Sequence, residues 1–281
     1  MDRELVTGTL YVVATPLGNL GDLSPRAADT LRGVGVVAAE DTRRTRTLLT
    51  HLGARARLLS YHAHSDEARA DAILALLEGG TDVALVTDAG TPTVSDPGAA
   101  LIAAARARGL GVVVVPGPSA VTAALSGSGL PADRYAFAGF PPRKGPARRA
   151  HLAAIAASEV TVVAFEAANR LATLLADLAA VAGEGRRAVV AREVTKLHEE
   201  FRAGTLGELA GYYSAHEPRG EVTLVIAGAA PAPAAAPDDV EIRAEAAQLL
   251  AAGHSRRDAA RQLAERFGLA RNAAYQLVGS L

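Results

Sequence analysis

Six side chains have the types and settings to take a proton or place a charge. Glu40 and Asp41 follow the apolar run GVVAA, and Asp88 follows ALVT. Glu166 and Glu193 close two further apolar runs, so each carboxylate falls near the carboxyl end of an expected strand. The sixth is Lys196, one of only two lysines (with Lys144) against 27 arginines. Where arginine is the default cation, a lysine supplies a compact ammonium or one that can lose its proton. Asp41 has a second reading, because directly before TRRT it also suits a helix N-cap. No metal is expected: His62 and His64 are too close to share a helix face as ligands, and no other histidine pair has ligand spacing. With no cysteine, disulfides, thiolate nucleophiles and thiolate-bound metals are excluded.

What would position these groups is an α/β frame. Strands are expected near 10–14, 34–39, 82–87 and 112–115, with helices near 25–32, 42–52, 66–78 and 97–108 between them. That alternation predicts βαβ units and a mostly parallel sheet. The runs DVALVT and GVVVVP are apolar throughout, as strands covered on both faces are. Further on, strands near 160–165 and 187–192 flank a helix near 168–182, and HEEFRAG and GEVTLVIAG surround a helix near 205–215. A second, mixed sheet follows from that pattern.

Three expected strand ends run into turns of small residues and proline: ATPLGNL, TDAGTPTVSDPG and PGPSAV. Ligands of open parallel sheets bind outside the carboxyl ends of the strands. None of the three turns has the glycine spacing of a dinucleotide or P-loop site. Pro16, Pro92, Pro116 and Pro118 remove backbone donors, which suits a neutral or cationic ligand better than a phosphate.

A length of 281 residues fits about two domains. The expected organisation is a first α/β domain over 1–118, a second over 119–228, a Pro/Ala linker over 229–240 and a helical unit over 241–281. The apolar stretches are far shorter than a membrane span, and MDRELVTG lacks the flanks of a signal peptide, so a cytoplasmic location is expected. Net charge is −1, yet the cations cluster. Arg43, Arg44 and Arg46 form one group; Arg143, Lys144, Arg148 and Arg149 form a second, in a Pro/Gly-rich segment expected to be a mobile loop. Arg256, Arg257, Arg261, Arg266 and Arg271 lie in the C-terminal unit, where apolar spacing around Gly268-Leu269 predicts a helix-turn-helix capped by Ser255.

Taken in order, LYVVATPLGNLGDLS, VVAAEDTRRTRTLL, ALVTDAGTPTVSDPG, VVPGPSAVTAALSGSGLP and FAGFPPRKGPARR resemble the motif series of the small-subunit ribosomal RNA methyltransferase I family, within the tetrapyrrole methylase superfamily. AREVTKLHEEFRAGTLGEL and RGEVTLVIAG continue the match, which spans about residues 8–228. The resemblance implies a two-domain fold, a homodimer, and S-adenosylmethionine bound in the cleft between domains. It implies cofactor contacts at Leu17, Gly90, Thr91, Val94, Ser119, Ala120, Phe165, Glu166 and Thr223. It also implies 2′-O-methylation of a cytidine in the decoding region of 16S rRNA, within the small ribosomal subunit. On that reading Arg43, Arg143, Lys144, Arg148, Arg149, Arg170, Arg256 and Arg257 contact RNA. Lys196, Glu40, Asp41, Asp88 and Glu166 are then the candidates near the chemistry. One departure stands out: the family commonly reads Glu-Ser-x-His-Arg where this chain has Glu166-Ala167-Ala168-Asn169-Arg170, so neither that hydroxyl nor that imidazole is required here.

Two other functions share parts of this pattern. A tetrapyrrole C-methyltransferase would use the same fold and cofactor, but needs neither the basic segment nor the C-terminal helices. A ligand-sensing DNA-binding regulator would use the helix-turn-helix, but roughly 220 residues of cleft-forming sheet exceed what a sensor needs.

Overall fold

The computed structural model describes residues 7–62, 67–230 and 239–280. Met1–Ala229 form one compact unit and Ala230–Leu281 a second. In the first, β1 (Thr9–Val13), α1 (Pro25–Gly33), β2 (Val36–Ala39), α2 (Thr42–Leu52), β3 (Arg57–Ser60), α3 (Glu67–Glu78), β4 (Val83–Val86), α4 (Ala99–Ala107) and β5 (Gly111–Val115) follow one another. The five strands pair in parallel in the order β3-β2-β4-β1-β5. β2 and β4 are buried residue by residue. Val36, Ala38, Val83 and Leu85 pack with Ile73, Leu74, Leu77 and Leu101 of α3 and α4; Val37, Ala39, Ala84 and Val86 face Leu31, Leu48 and Leu49 of α1 and α2. Each fully buried leucine or isoleucine of this kind contributes about 1.5–3 kcal/mol. α1 begins as its sequence suggests, with Pro25 in the first turn and the Ser24 hydroxyl accepting from the Ala27 N–H at 3.1 Å.

β5 departs from expectation. Its run of valines suggests cover on both faces, but it is an edge strand with Val113 and Val114 exposed. Apolar content alone does not distinguish an edge from a centre. β3, short and half-exposed, is an edge strand that periodicity does not reveal.

α5 (Ala120–Ser128) leads into β6 (Tyr135–Gly139), α6 (Gly145–Ala157), β7 (Thr161–Ala167), α7 (Leu171–Ala182), β8 (Arg187–Arg192), β9 (Glu200–Thr205), α8 (Leu206–Ala215) and β10 (Glu221–Ile226). The second sheet has the order β6-β7-β10-β8-β9; only β6 and β7 pair in parallel, so the sheet is mixed as expected. Helices α6, α7 and α8 cover one face around Leu174, Leu175 and Leu178, while α5 covers the other around Val163, Val189 and Val225. The basic segment is not wholly a loop. Gly145–Ala157 is helical, with proline in its first turn, so Arg148 and Arg149 sit on α6.

The second unit holds α9 (Asp239–Ala251), α10 (Arg256–Phe267) and α11 (Arg271–Gly279) around Ile242, Ala246, Ala259, Ala260, Leu263, Ala274 and Val278. Ser255 caps α10, and Gly268 at φ +66° ends it before α11, a helix-turn-helix arrangement. Most of the expected linker (231–238), like His64, lies outside the described residues. No described helix is long and apolar enough to cross a membrane.

Candidate active site

The three proline-containing turns are bonded to one another. Beyond β1, the Thr15 N–H donates to the Gly90 carbonyl at 2.9 Å, and the Gly90 N–H donates back to Thr15 at 3.0 Å. The buried Thr15 hydroxyl donates to the Thr87 carbonyl, and the Thr91 hydroxyl donates to the Pro118 carbonyl at 3.0 Å. Gly90 has φ +84°, and a Cβ there would also stand 3.2 Å from Leu17, so glycine meets both a backbone and a packing need. Thr93 and Ser95, neither of them glycine, also adopt left-handed backbone, at φ 74° and 65°. Such residues cost of order 1–3 kcal/mol each and cluster at binding sites.

These turns form one wall of a cavity of about 730 Å³. The other wall comes from the second sheet: Phe165 and Glu166 at the end of β7, the Pro218–Gly220 approach to β10, and Thr223 within it. Leu17, Gly90, Thr91, Val94, Ser119, Ala120, Phe165, Glu166 and Thr223 all line this one space. Of the six candidates for proton transfer or charge placement, Glu40, Asp88 and Glu166 also line it; Asp41, Glu193 and Lys196 do not.

The charged groups have distinct settings. Asp41 caps α2, accepting from the Arg43 N–H at 2.8 Å, and its side chain is bonded twice to the Arg43 guanidinium. Those hydrogen bonds hold its carboxyl at about 2. The N-cap reading of Asp41 therefore applies, and Arg43 is engaged with it rather than free. Asp88 accepts from the Asp41 N–H at 2.9 Å and lies 3.7 Å from the Arg44 guanidinium. Glu40 binds its proton more tightly than an ordinary carboxylate, through burial and then the Asp88 charge.

Asp96, which no motif signal in the sequence singles out, also lines the cavity. Burial, then the Glu40 charge, raises it from the ordinary 3.8 to about 6. The folded protein thus holds this proton more tightly than the unfolded chain. The Asp96 carboxyl therefore favours folding least at high pH, with its contribution lost as pH rises from about 4 through about 6. Asp96→Asn is expected to melt higher than the parent above pH 6, with the difference vanishing below pH 4. Thermal unfolding of both proteins from pH 4 to 8 measures it, and a constant difference across that range would refute the assignment.

The cavity is large enough for a cofactor of several rings, since such pockets span roughly 300–1,000 Å³. Its wall carries Glu40, Asp88, Asp96, Glu166 and Glu221 against two cations, Arg44 and Arg219. That lining suits a positively charged ligand and is unfit for a pyrophosphate. S-adenosylmethionine, with its sulfonium and no phosphate, fits these residues.

Residues 9–210 match the model of the tetrapyrrole (corrin/porphyrin) methylases. The chain is 45% identical over 270 residues to the ribosomal RNA small subunit methyltransferase I of Synechocystis sp., covering 96% of this chain and 97% of that one. The protein of the same name from Xylella fastidiosa (strain Temecula1) is 51% identical, over 79% of this chain and 82% of its own. This chain belongs to the ribosomal RNA small subunit methyltransferase I family. More distantly, it shares its fold with a solved cobalt precorrin-4 methyltransferase (TM-score 0.60, 18% identity, 78% of this chain and 94% of that one). A uroporphyrin-III C-methyltransferase from Thermus thermophilus is comparable (TM-score 0.57, 23% identity, 78% and 94%). At those identities the likeness is one of architecture, while the ribosomal RNA methyltransferase relatives match in sequence over most of their length.

Within this family member the remaining expected residues fall into two groups. Some are tied down. Glu166, 3% exposed, accepts from the Arg170 guanidinium and from the Ala167 N–H at 2.8 Å. The departure at Ala167 and Asn169 leaves that pair intact. Arg148 was expected to face RNA, but it is mostly buried and bonds to Asp177 at 2.7 and 2.9 Å and to the Pro142 carbonyl at 3.0 Å. Asp177 on α7 claims it, so it anchors the segment. Lys196 is paired too, donating to Glu193 at 2.9 Å and Glu221 at 3.0 Å. Burial pulls its pKa down, but those two carboxylates outweigh burial and the net shift is upward. Its two carboxylate partners favour the compact ammonium. Others are open: Arg143, Lys144 and Arg149 are exposed without an ion pair among the described residues, and Arg256 and Arg257 are exposed at the start of α10.

Proposed function

We propose that this protein transfers the methyl group of S-adenosylmethionine to the ribose 2′-oxygen of a cytidine in the decoding region of 16S rRNA. It does so as a homodimer acting on the small ribosomal subunit. The observation that carries this reading is the convergence of all nine implied cofactor positions on one carboxylate-lined cavity, in a chain whose relatives bear the name ribosomal RNA small subunit methyltransferase I. S-adenosylmethionine, when bound, supplies an electrophilic methyl group on a sulfonium.

The chain's own residues do the rest. The backbone of the Gly90–Thr91 turn and the apolar side chains of Leu17, Val94 and Phe165 hold and orient the donor, and Glu40, Asp88 and Glu166 offset its charge. Orienting two reactants contributes roughly 7–11 kcal/mol, and a positioned base roughly 3–5 kcal/mol. Orientation is the larger share, so the base can be modest. Asp96 and Glu40 both line the cavity and both hold a proton better than ordinary carboxylates, so they are the carboxylates suited to accept the hydroxyl proton. Arg256 and Arg257, on the helix-turn-helix unit, add a grip on RNA phosphates. Mass mapping of 2′-O-methyl groups in 16S rRNA from cells with and without the protein tests this. One methyl, on a decoding-region cytidine, is expected to disappear with the protein; an unchanged map overturns the reading.

A further inference from the structure

The cavity also carries an aromatic ring that is not among the nine implied cofactor positions. β6 ends at Gly139, whose φ of +64° turns the chain, and the next residue, Phe140, lines the cavity while remaining 53% exposed. Its exposure leaves part of the ring open to a ligand entering the cavity. The ring packs against a second aromatic. Its centroid lies 5.4 Å from that of Phe165, which meets Phe137 edge-on at 4.9 Å. The chain after it is stiff: Pro141 is buried, and the Pro142 carbonyl accepts from the anchored Arg148. Immediately beyond come Arg143 and Lys144, both exposed and without an ion pair among the described residues.

An open ring beside a cleft, with exposed cations three and four residues further on, is the arrangement by which proteins hold unpaired RNA. Bases stack on the aromatic face while cations follow the phosphates. We propose that Phe140 is the platform on which the target base stacks as its ribose enters the cleft, with Arg143 and Lys144 holding the adjoining phosphates. The proposal rests on the functional reading above and adds the subsite for the second substrate. A stacked base pulled from its neighbours needs a rigid partner, which the Phe137–Phe165–Phe140 group supplies.

The test uses the full-length protein, small ribosomal subunits lacking the methyl group, and calorimetry with S-adenosylhomocysteine. Phe140→Ala is expected to lower kcat/KM by roughly 5- to 150-fold, carried mainly by KM, while affinity for S-adenosylhomocysteine stays within about twofold of the parent, as expected of a residue outside uniform cofactor binding. Phe140→Trp keeps a stacking face and is expected to restore activity, which a merely structural ring would not do. Arg143→Ala with Lys144→Ala is expected to flatten the log–log salt dependence of subunit binding by about 1.4, at about 0.7 per phosphate contact. Unchanged KM in Phe140→Ala overturns the proposal, as does a fall in S-adenosylhomocysteine affinity parallel to the loss of activity, which would assign the ring to the cofactor. A parent protein that neither binds S-adenosylhomocysteine nor methylates subunits would instead remove the functional reading itself.

Discussion

Glu166→Ala is expected to lower the melting temperature by about 5–10 °C, the equivalent of about 2–3 kcal/mol in a chain of this size. The carboxylate is 3% exposed and meets both the Arg170 guanidinium and the Ala167 N–H, which donates at 2.8 Å. Removing one partner of a buried ion pair costs roughly 3–5 kcal/mol, because the other charge is left without a counter-ion. Arg170 keeps 31% of its side-chain exposure, and water reaching it trims that figure. Because Glu166 also lines the cavity, affinity for S-adenosylhomocysteine falls in the same variant. Glu166→Gln retains an acceptor for the Ala167 N–H and loses only the charge, so it is expected to lie between parent and alanine variant. Arg170→Ala completes a double-mutant cycle, and its coupling with Glu166→Ala isolates the pair. Additive effects in that cycle would show the two residues acting independently, contrary to the contact described.

The two sheets were legible because their strands carry concentrated apolar runs between unmistakable turns. VALV of β4 reads as buried on both faces and is. VVVV of β5 reads the same way and is not, since being at the edge of a sheet is decided by which strand finds no further neighbour. The basic segment after Phe140 differs again: its prolines and charges are those of a loop, yet it holds a helix whose Pro146 sits in the first turn, where proline is welcome. Within the site, motif order singled out residues that share one cavity, whereas the state of each charge was not legible. Nothing local marks Asp96; its raised pKa comes from burial and from Glu40, 56 positions earlier in the chain. Arg148 likewise looked equivalent to Arg143 until Asp177 of α7 was seen to claim it.

Lys196→Arg is expected to cost about 10- to 100-fold in kcat/KM, since misplacing a site by about 1 Å has effects of that order. The ammonium sits between Glu193 Oε1 at 2.9 Å and Glu221 Oε2 at 3.0 Å. Its stem packs on the opening turn so closely that a Cβ at Gly18 would stand 2.3 Å from Lys196 Cγ. Glu193 also accepts from the Glu221 N–H at 3.0 Å and itself has a left-handed backbone at φ 51°. Against its carboxylate lies Gly220, at φ +87°, where a Cβ would approach to 2.1 Å. Gly220 and Glu221 both line the cavity, so this one lysine ties a cavity wall of the second sheet to the turn after β1. A guanidinium is longer, planar and donates in a fixed fork, and it cannot reproduce a point charge shared between two carboxylates over so tight a stem. Since its two partners raise the lysine pKa, the ammonium persists to at least its ordinary 10.5. The lysine's share of this ion pair is therefore retained through neutral pH and lost as pH rises past its raised pKa, while the share of Glu193, whose pKa the lysine lowers, is lost as pH falls into the acid range. Activity against pH should accordingly show no limb from Lys196 through the neutral range. Near-parental methylation by Lys196→Arg would show that neither the compactness of the ammonium nor the tie it makes is needed for the site.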